Sequence, residues 1–413
     1  MNATVCLKAL NRGLLTRLAT TPVNRVSVQQ MYAMERFSPA SSLLVSLFCR
    51  DVTEASDRAK ILAPMEFLHA ELPVRLCQNF NLLNTRLRSD WADHQVNTKV
   101  HQLTLNLLED IDVLAGFPVP TKPHDVASFI SALKVLQVRQ NQNYTSLREC
   151  LSQVTSRQLR SGQPQRPLIH ENMNDVLMDY FSLNYGTNWL IAQSINQYNG
   201  FQCVLNEVSP HSAAEQAIQT ARQWCSQYYS CEPPEVKLIS KKTNIEVIAT
   251  NHSIQDSLFQ VLKHSIGSVI EHSQTLRTRA SDMPPLEVRM TEGEEDICFR
   301  VSDLGGGIPM SSMSNIWDQL SNSTEKTKGL SMTRSISRYF GGDLEIVSME
   351  GNGTESYLYL DRTGTIGECI PSVSITDEEV DSLVDTLYYE KSKEEVVRVY
   401  SNETCTERVA VTA

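Results

Sequence analysis

The run Ser302-Asp303-Leu304-Gly305-Gly306-Gly307-Ile308-Pro309 carries the most distinctive chemistry in the sequence. Just before it, Ile297, Phe299 and Val301 alternate with Cys298, Arg300 and Ser302, which is the period of a strand. An aspartate at a strand end can accept a hydrogen bond from an exocyclic amine, and glycines let the backbone approach a flat ring closely. The same residues would also suit a plain turn, so their meaning depends on their neighbours. Upstream lies Leu258-Phe259-Gln260-Val261-Leu262-Lys263-His264-Ser265-Ile266-Gly267-Ser268. Downstream lie Gly329-Leu330-Ser331-Met332-Thr333-Arg334, then Arg338-Tyr339-Phe340-Gly341-Gly342-Asp343-Leu344, then Met349-Glu350-Gly351-Asn352-Gly353-Thr354.

The elements that must position these groups are legible from periodicity. Beyond residue 200 the pattern predicts helices over 211–226, 254–271 and 330–340. It also predicts strands over 236–240, 245–249, 286–291, 297–302, 343–349 and 355–360, the last two joined by a Glu350–Gly353 hairpin turn. This mixture indicates an α/β sandwich. Between 35 and 200 the pattern is helical: Val100, Leu103, Leu107, Ile111 and Leu114 lie on one helix face. Val126, Ile130, Leu133 and Leu136 form a second stripe, with Asp125 as its expected cap. Met173, Val176, Leu177 and Tyr180 form a third, and an earlier amphipathic stretch runs from Glu71 to Leu83. The breaks Gly116-Phe117-Pro118-Val119-Pro120 and Ser161–Pro167 separate them, as proline ends helices. Four long helices with proline-punctuated links predict a helical bundle.

The 413 residues are 41% hydrophobic, which excludes a wholly disordered chain and leaves room for two to three domains. A formal charge of −11 argues against a protein dedicated to nucleic acid, and no run reaches the ~18 apolar residues of a membrane span. The ten cysteines are scattered with no CxxC pair, which fits reduced thiols. The charge is uneven. Residues 1–34 hold Lys8, Arg12, Arg17 and Arg25 and no acid, a pattern that matches a mitochondrial transit peptide or, more blandly, a basic tail. Residues 366–413 hold eleven acids against four bases and read as a solvated, partly disordered tail. The expected organisation is a transit peptide over 1–34 and a helical-bundle domain over 35–200, then a nucleotide-binding domain over 201–362 and an acidic tail over 363–413.

The ordered set of segments resembles the mitochondrial pyruvate dehydrogenase kinases and their branched-chain 2-oxoacid dehydrogenase kinase relatives over most of residues 30–362. Glu71-Leu72-Pro73-Val74-Arg75 and Met65-Glu66-Phe67-Leu68 add to the likeness. The resemblance implies an α + α/β fold class: an N-terminal four-helix bundle followed by a Bergerat-type, histidine-kinase-like α/β sandwich that binds ATP or ADP. At the base end, the family's aspartate falls on Asp303, its glycines on Gly305 and Gly307, and its threonine on Thr354; Leu304 stands where the family usually has arginine.

The phosphate end departs from the family pattern. The N-box Glu-x-x-Lys-Asn falls on Gln260, Lys263 and His264. A neutral amide cannot act as a general base, and an imidazole nitrogen is a poor replacement for an oxygen ligand of Mg²⁺. The glycine lid falls on Glu325, Thr327 and Gly329, so one glycine remains, and only 21 residues separate Gly307 from Gly329. The family's bundle histidine aligns with Gln142, beside Asn143. Asp256 or Glu271 could be recruited instead of the lost groups. His252 and His272 read as polar helix-end residues, and Trp189-Leu190 and Trp224-Cys225 as core or interface. Arg334 and Arg338 share a helix face that could meet either phosphate or solvent.

The expectation is a matrix kinase-family regulator of a pyruvate or branched-chain dehydrogenase complex that is catalytically impaired and acts by binding or dimerisation. Implied partners are the lipoyl domain of the acyltransferase, the dehydrogenase component, and a second kinase subunit, identical or related. Since no tryptophan follows Trp317, the family's cross-dimer tail contact is in question. The competing expectation is an active kinase that phosphorylates the dehydrogenase component with ATP.

Overall fold

The computed structural model describes residues 12–36, 57–87, 94–161, 173–199, 205–242, 245–279, 282–317, 326–327 and 329–371. Two short helices, α1 (Arg12–Thr20) and α2 (Val28–Arg36), precede four long ones: α3 (Asp57–Asn81), α4 (His94–Ala115), α5 (Pro123–Ser161) and α6 (Met173–Tyr198). The apolar stripes point inward as the spacing demands. Val100, Leu103, Leu107, Ile111 and Leu114 of α4 are buried, as are Val126, Ile130, Leu133 and Leu136 of α5. Helix α4 stops at Ala115, before Gly116 and the two prolines. Asp125 lies inside the first turn of α5 rather than before it, and its carboxylate reaches back to accept from the Lys122 amide at 3.0 Å.

Within the segment expected as a transit peptide, residues 1–34, the described residues begin at Arg12 and pack against the long helices. Leu15, Leu18, Ala19, Val26 and Met31 belong to the same buried cluster as the long helices. Of the expected acidic tail, residues 363–371 are ordered against the fold with Glu368 buried, and 372–413 lie outside the described residues.

The second half contains β1 (Leu205–Val208), α7 (Pro210–Tyr229), β2 (Val236–Ser240), β3 (Val247–Thr250), α8 (Asn251–Thr275), β4 (Leu286–Glu292), β5 (Asp296–Asp303), α9 (Leu330–Tyr339), β6 (Asp343–Met349) and β7 (Gly353–Asp361). Strand β1 was not legible in the sequence; it pairs antiparallel with β3 in a separate two-stranded sheet. The main sheet has the order β2-β4-β5-β7-β6, with β2 and β4 parallel and the remaining pairs antiparallel. Alternation along β5 puts Ile297, Phe299, Val301 and Asp303 on one buried face, so the aspartate points toward the helices rather than into solvent. Register places Thr354 of β7 directly opposite Asp303. A second buried cluster joins this sheet face to α7 and α8.

A buried ionic hub ties the two halves together. Arg75 of α3 is fully enclosed and donates from Nε to Glu71 at 3.0 Å, from Nη1 and Nη2 to Glu368 at 3.0 and 2.5 Å, and from Nη2 to the Asn24 carbonyl at 2.9 Å. Tyr339, the last residue of α9, donates to Glu368 at 2.8 Å. Burial, the largest single influence, opposes the charge on Arg75, but Glu368, Tyr339 and Glu71 together outweigh it and hold the guanidinium pKa above its ordinary value. Gly186 of α6 leaves room for Tyr339, because a Cβ there would lie 1.8 Å from the phenol oxygen.

Candidate functional site

Helix α8 supplies one wall of the site. Positions 260, 264, 268 and 271 recur at helical spacing and so share a face. The end of β5 and the turn after it supply the opposite wall. Asp303 is 3% exposed, and its Oδ1 accepts from the Gly305 amide at 2.9 Å. Burial raises its pKa, against the opposing pull of the Gly305 amide. Gly305 packs so closely on α8 that a Cβ would sit 2.8 Å from Ser268. Gly307 adopts φ +68°, and a Cβ there would lie 2.1 Å from the Met349 carbonyl oxygen, so only glycine suits this turn. Thr354 is buried beside Asp303, its hydroxyl 3.0 Å from that of Ser348, which in turn accepts from the Ile308 amide at 2.8 Å.

The third wall is the N-terminus of α9. Gly329 caps this helix with φ +104°, and a Cβ would fall 2.4 Å from Gln260 Oε1. The left-handed glycine therefore lets the helix start directly against Gln260. Thr327 lies just ahead, its carbonyl accepting from the Leu330 amide at 3.2 Å. Glu325 falls outside the described residues.

Among the described residues, Gln260 Oε1 and His264 Nδ1 are buried along these walls with no hydrogen-bond partner, while the Ser265 hydroxyl lies close enough to Asp303 to favour its ionised form. Unsatisfied buried groups are costly, and these two line the cleft between α8, the glycine turn and the start of α9, where a polar ligand could meet them. At the Asp303 end the buried carboxylate suits the exocyclic amine of a base. At the other end the groups are uncharged. Burial, with help from the charges of Lys326 and Lys263, pushes the His264 pKa down to about 3, so it is a neutral imidazole at physiological pH. These residues are a poor match to Mg²⁺, since Gln260 brings no carboxylate and His264 a nitrogen where the ion prefers charged oxygen ligands beside waters and phosphate. Among the described residues no group of three or more His, Cys, Asp or Glu side chains is placed to hold a metal.

Other expected residues lie elsewhere. Lys263 is buried with its ammonium 5.4 Å from the Trp224 ring centroid and 5.8 Å from that of Phe259, close enough for its charge to bear on His264. Gln142 is exposed on α5, while its neighbours Gln140 and Asn143 turn inward to Asp110 and Asn106. Arg334 and Arg338 both bond Asp343, and Arg334 also stacks over Trp317 at 4.3 Å, so their shared face serves structure. Trp189 and Cys225 are buried, and Trp189 meets Phe340 edge-on at 5.3 Å across the two halves of the molecule. Sequence reasoning missed Ser265, Ser268 and Lys326. The two serines share α8 with Gln260 and His264, so helical spacing could have nominated them; nothing in the sequence marked Lys326.

Residues 253–364 match the family described as histidine kinase-, DNA gyrase B- and HSP90-like ATPases. A mitochondrial pyruvate dehydrogenase (acetyl-transferring) kinase from Arabidopsis thaliana is 28% identical over 344 residues, covering 75% of this chain and 88% of its own length. The human isozyme 3 of the same mitochondrial kinase is 27% identical over 365 residues, covering 80% of this chain and 85% of its own. Among solved structures, the catalytic domain of the histidine kinase ThkA covers 39% of this chain and 97% of its own length, at 13% identity and a TM-score of 0.31. With Asp303, its glycine turn, Thr354 and the Gly329-capped helix all inside the matched segment, residues 253–364 carry a Bergerat-type ATPase domain, and the chain is similar over most of its length to mitochondrial pyruvate dehydrogenase kinases.

Proposed function

We propose that this chain is a nucleotide-binding, catalytically impaired regulator of a pyruvate or branched-chain 2-oxoacid dehydrogenase complex in the mitochondrial matrix. The carrying observation is the contrast across one site: the base end keeps a buried carboxylate in Asp303, whereas the phosphate end carries the uncharged side chains of Gln260 and His264. Loss of a general base typically costs ~10²–10⁴ in rate, and misplaced phosphates add to that. Regulation then operates through binding: the lipoyl domain of the acyltransferase, the dehydrogenase component, and a second subunit, identical or related, are the partners. The likeness to kinases of that complex, extending over most of the chain, supports these assignments.

On this reading α3–α6 constitute a four-helix bundle, residues 201–362 the nucleotide-binding domain and 363–413 a tail. Residues 1–34 are the transit peptide on the same reading, with α1 and α2 packed on the first core in the full chain. The deciding experiment is transfer of labelled phosphate from ATP to a purified dehydrogenase component, together with nucleotide binding. Bound nucleotide with transfer at least ~10²-fold below an active relative is the expected result. Robust Mg²⁺-dependent transfer that Asp303→Ala abolishes would establish an active kinase instead.

A further inference from the structure

Binding a nucleoside polyphosphate requires positive charge near its phosphates, and the residues at that end are a poor match to the Mg²⁺ that would supply it. Lys326 brings a cation to the same wall. Its ammonium lies 2.5 Å from Glu271 Oε2 and 3.5 Å from Ser268 Oγ, on the α8 face that also carries Gln260 and His264. Its stem is laid along the helix rather than out into solvent. A Cβ on Gly267 would meet Lys326 Cβ at 3.3 Å and Cδ at 3.5 Å, so the bare mid-helix glycine accommodates the lysine stem. The Lys326 charge is felt at both ends of the site, where it lowers the pKa of His264 and favours the ionised form of Asp303.

The pairing with Glu271 also matters. Glu271 is 43% exposed and already accepts from the Tyr229 hydroxyl at 2.7 Å, so Lys326 is held by a solvent-screened ion pair. Such pairs are weak and exchange readily, and an ammonium is a competent point-charge partner for phosphate oxygens.

We propose that Lys326 is the resident cation of the nucleotide site, leaving Glu271 to engage the phosphates, so that this chain binds adenine nucleotide without a divalent metal. The proposal rests on the nucleotide-binding reading above, and one set of titrations separates the two. Adenosine, ADP and ATP are titrated calorimetrically into the full chain, in excess EDTA and in excess MgCl₂, for the unaltered protein, Lys326→Met and Glu271→Gln.

The expected result is ATP affinity within about threefold between the two buffers, lowered about tenfold or more by Lys326→Met and raised by Glu271→Gln. Adenosine affinity should fall far less than ATP affinity in Lys326→Met, by no more than about threefold through the lost effect on Asp303, and far-UV dichroism reports that the variant is folded. A requirement for Mg²⁺, or unchanged or tighter ATP binding in Lys326→Met, would overturn the role of Lys326 and leave nucleotide binding standing. Failure of all three ligands to bind the unaltered protein would overturn the nucleotide-binding reading itself, and this inference with it.

Discussion

Substituting Glu368→Gln should destabilise the whole molecule although residue 368 lies outside the long helices and the main sheet. The Glu368 carboxylate is fully enclosed and accepts from both terminal nitrogens of Arg75, from the Tyr339 hydroxyl and from the Val26 amide. A glutamine keeps one acceptor oxygen but turns an amide NH₂ toward groups that are themselves donors. The buried guanidinium would then retain Glu71 as its one carboxylate partner among these groups. Breaking a buried pair by removing one partner costs about 3–5 kcal/mol, against a total stability of roughly 5–15 kcal/mol.

Arg75→Met should cost a similar amount, because it leaves Glu368 and Glu71 without their cation. The double variant Arg75→Met/Glu368→Met should cost less than the sum by about 1–3 kcal/mol, since neither charge remains alone. Urea denaturation followed by fluorescence and far-UV dichroism measures all three. Hydrogen exchange adds a second readout: amides of α9 should lose protection, because Tyr339 anchors the end of that helix to the hub. Loss of under about 1 kcal/mol in Glu368→Gln, or strict additivity in the double variant, would refute the hub as a coupled unit.

Other expectations are independent of the hub's charge. Gln260→Glu with His264→Asn should strengthen ATP binding in MgCl₂ relative to EDTA, read by calorimetry, because it restores a carboxylate and an oxygen ligand at the phosphate end. Asp110 of α4 is buried, and burial, only partly offset by Arg139, raises its pKa to about 7. A raised carboxyl pKa contributes stability that is full below pH ~4 and lost as pH rises toward ~7, so Asp110→Asn should flatten that dependence. The variant should gain on the order of 2–4 kcal/mol relative to the unaltered protein between pH 4 and pH 8 denaturation series. Gly186→Ala should cost about 1–3 kcal/mol by forcing Tyr339 away from α6, seen as a lowered urea midpoint. His264, held neutral with its pKa near 3, should show no NMR titration between about pH 5 and 8.

Most of the local grammar follows from residue type and spacing alone. Spacings of three and four placed Val100 to Leu114 on one buried stripe, and alternation from Ile297 to Val301 defined β5. Both rest on a period that is a property of the backbone, so neighbours along the chain suffice to reveal them. The type of each residue also told that Gln260 is no base and His264 no oxygen ligand. Tertiary structure decided what each group meets. Alternation could not say that Asp303 would face Ser265 of α8, nor could composition show that Leu15 and Met31 are buried among the long helices. Nothing in the sequence marks Lys326, and Glu368 is one of eleven acids in residues 366–413. Their partners lie 55 residues away in Glu271 and 293 away in Arg75. The interactions of charged groups depend on distance and burial, which sequence separation does not encode.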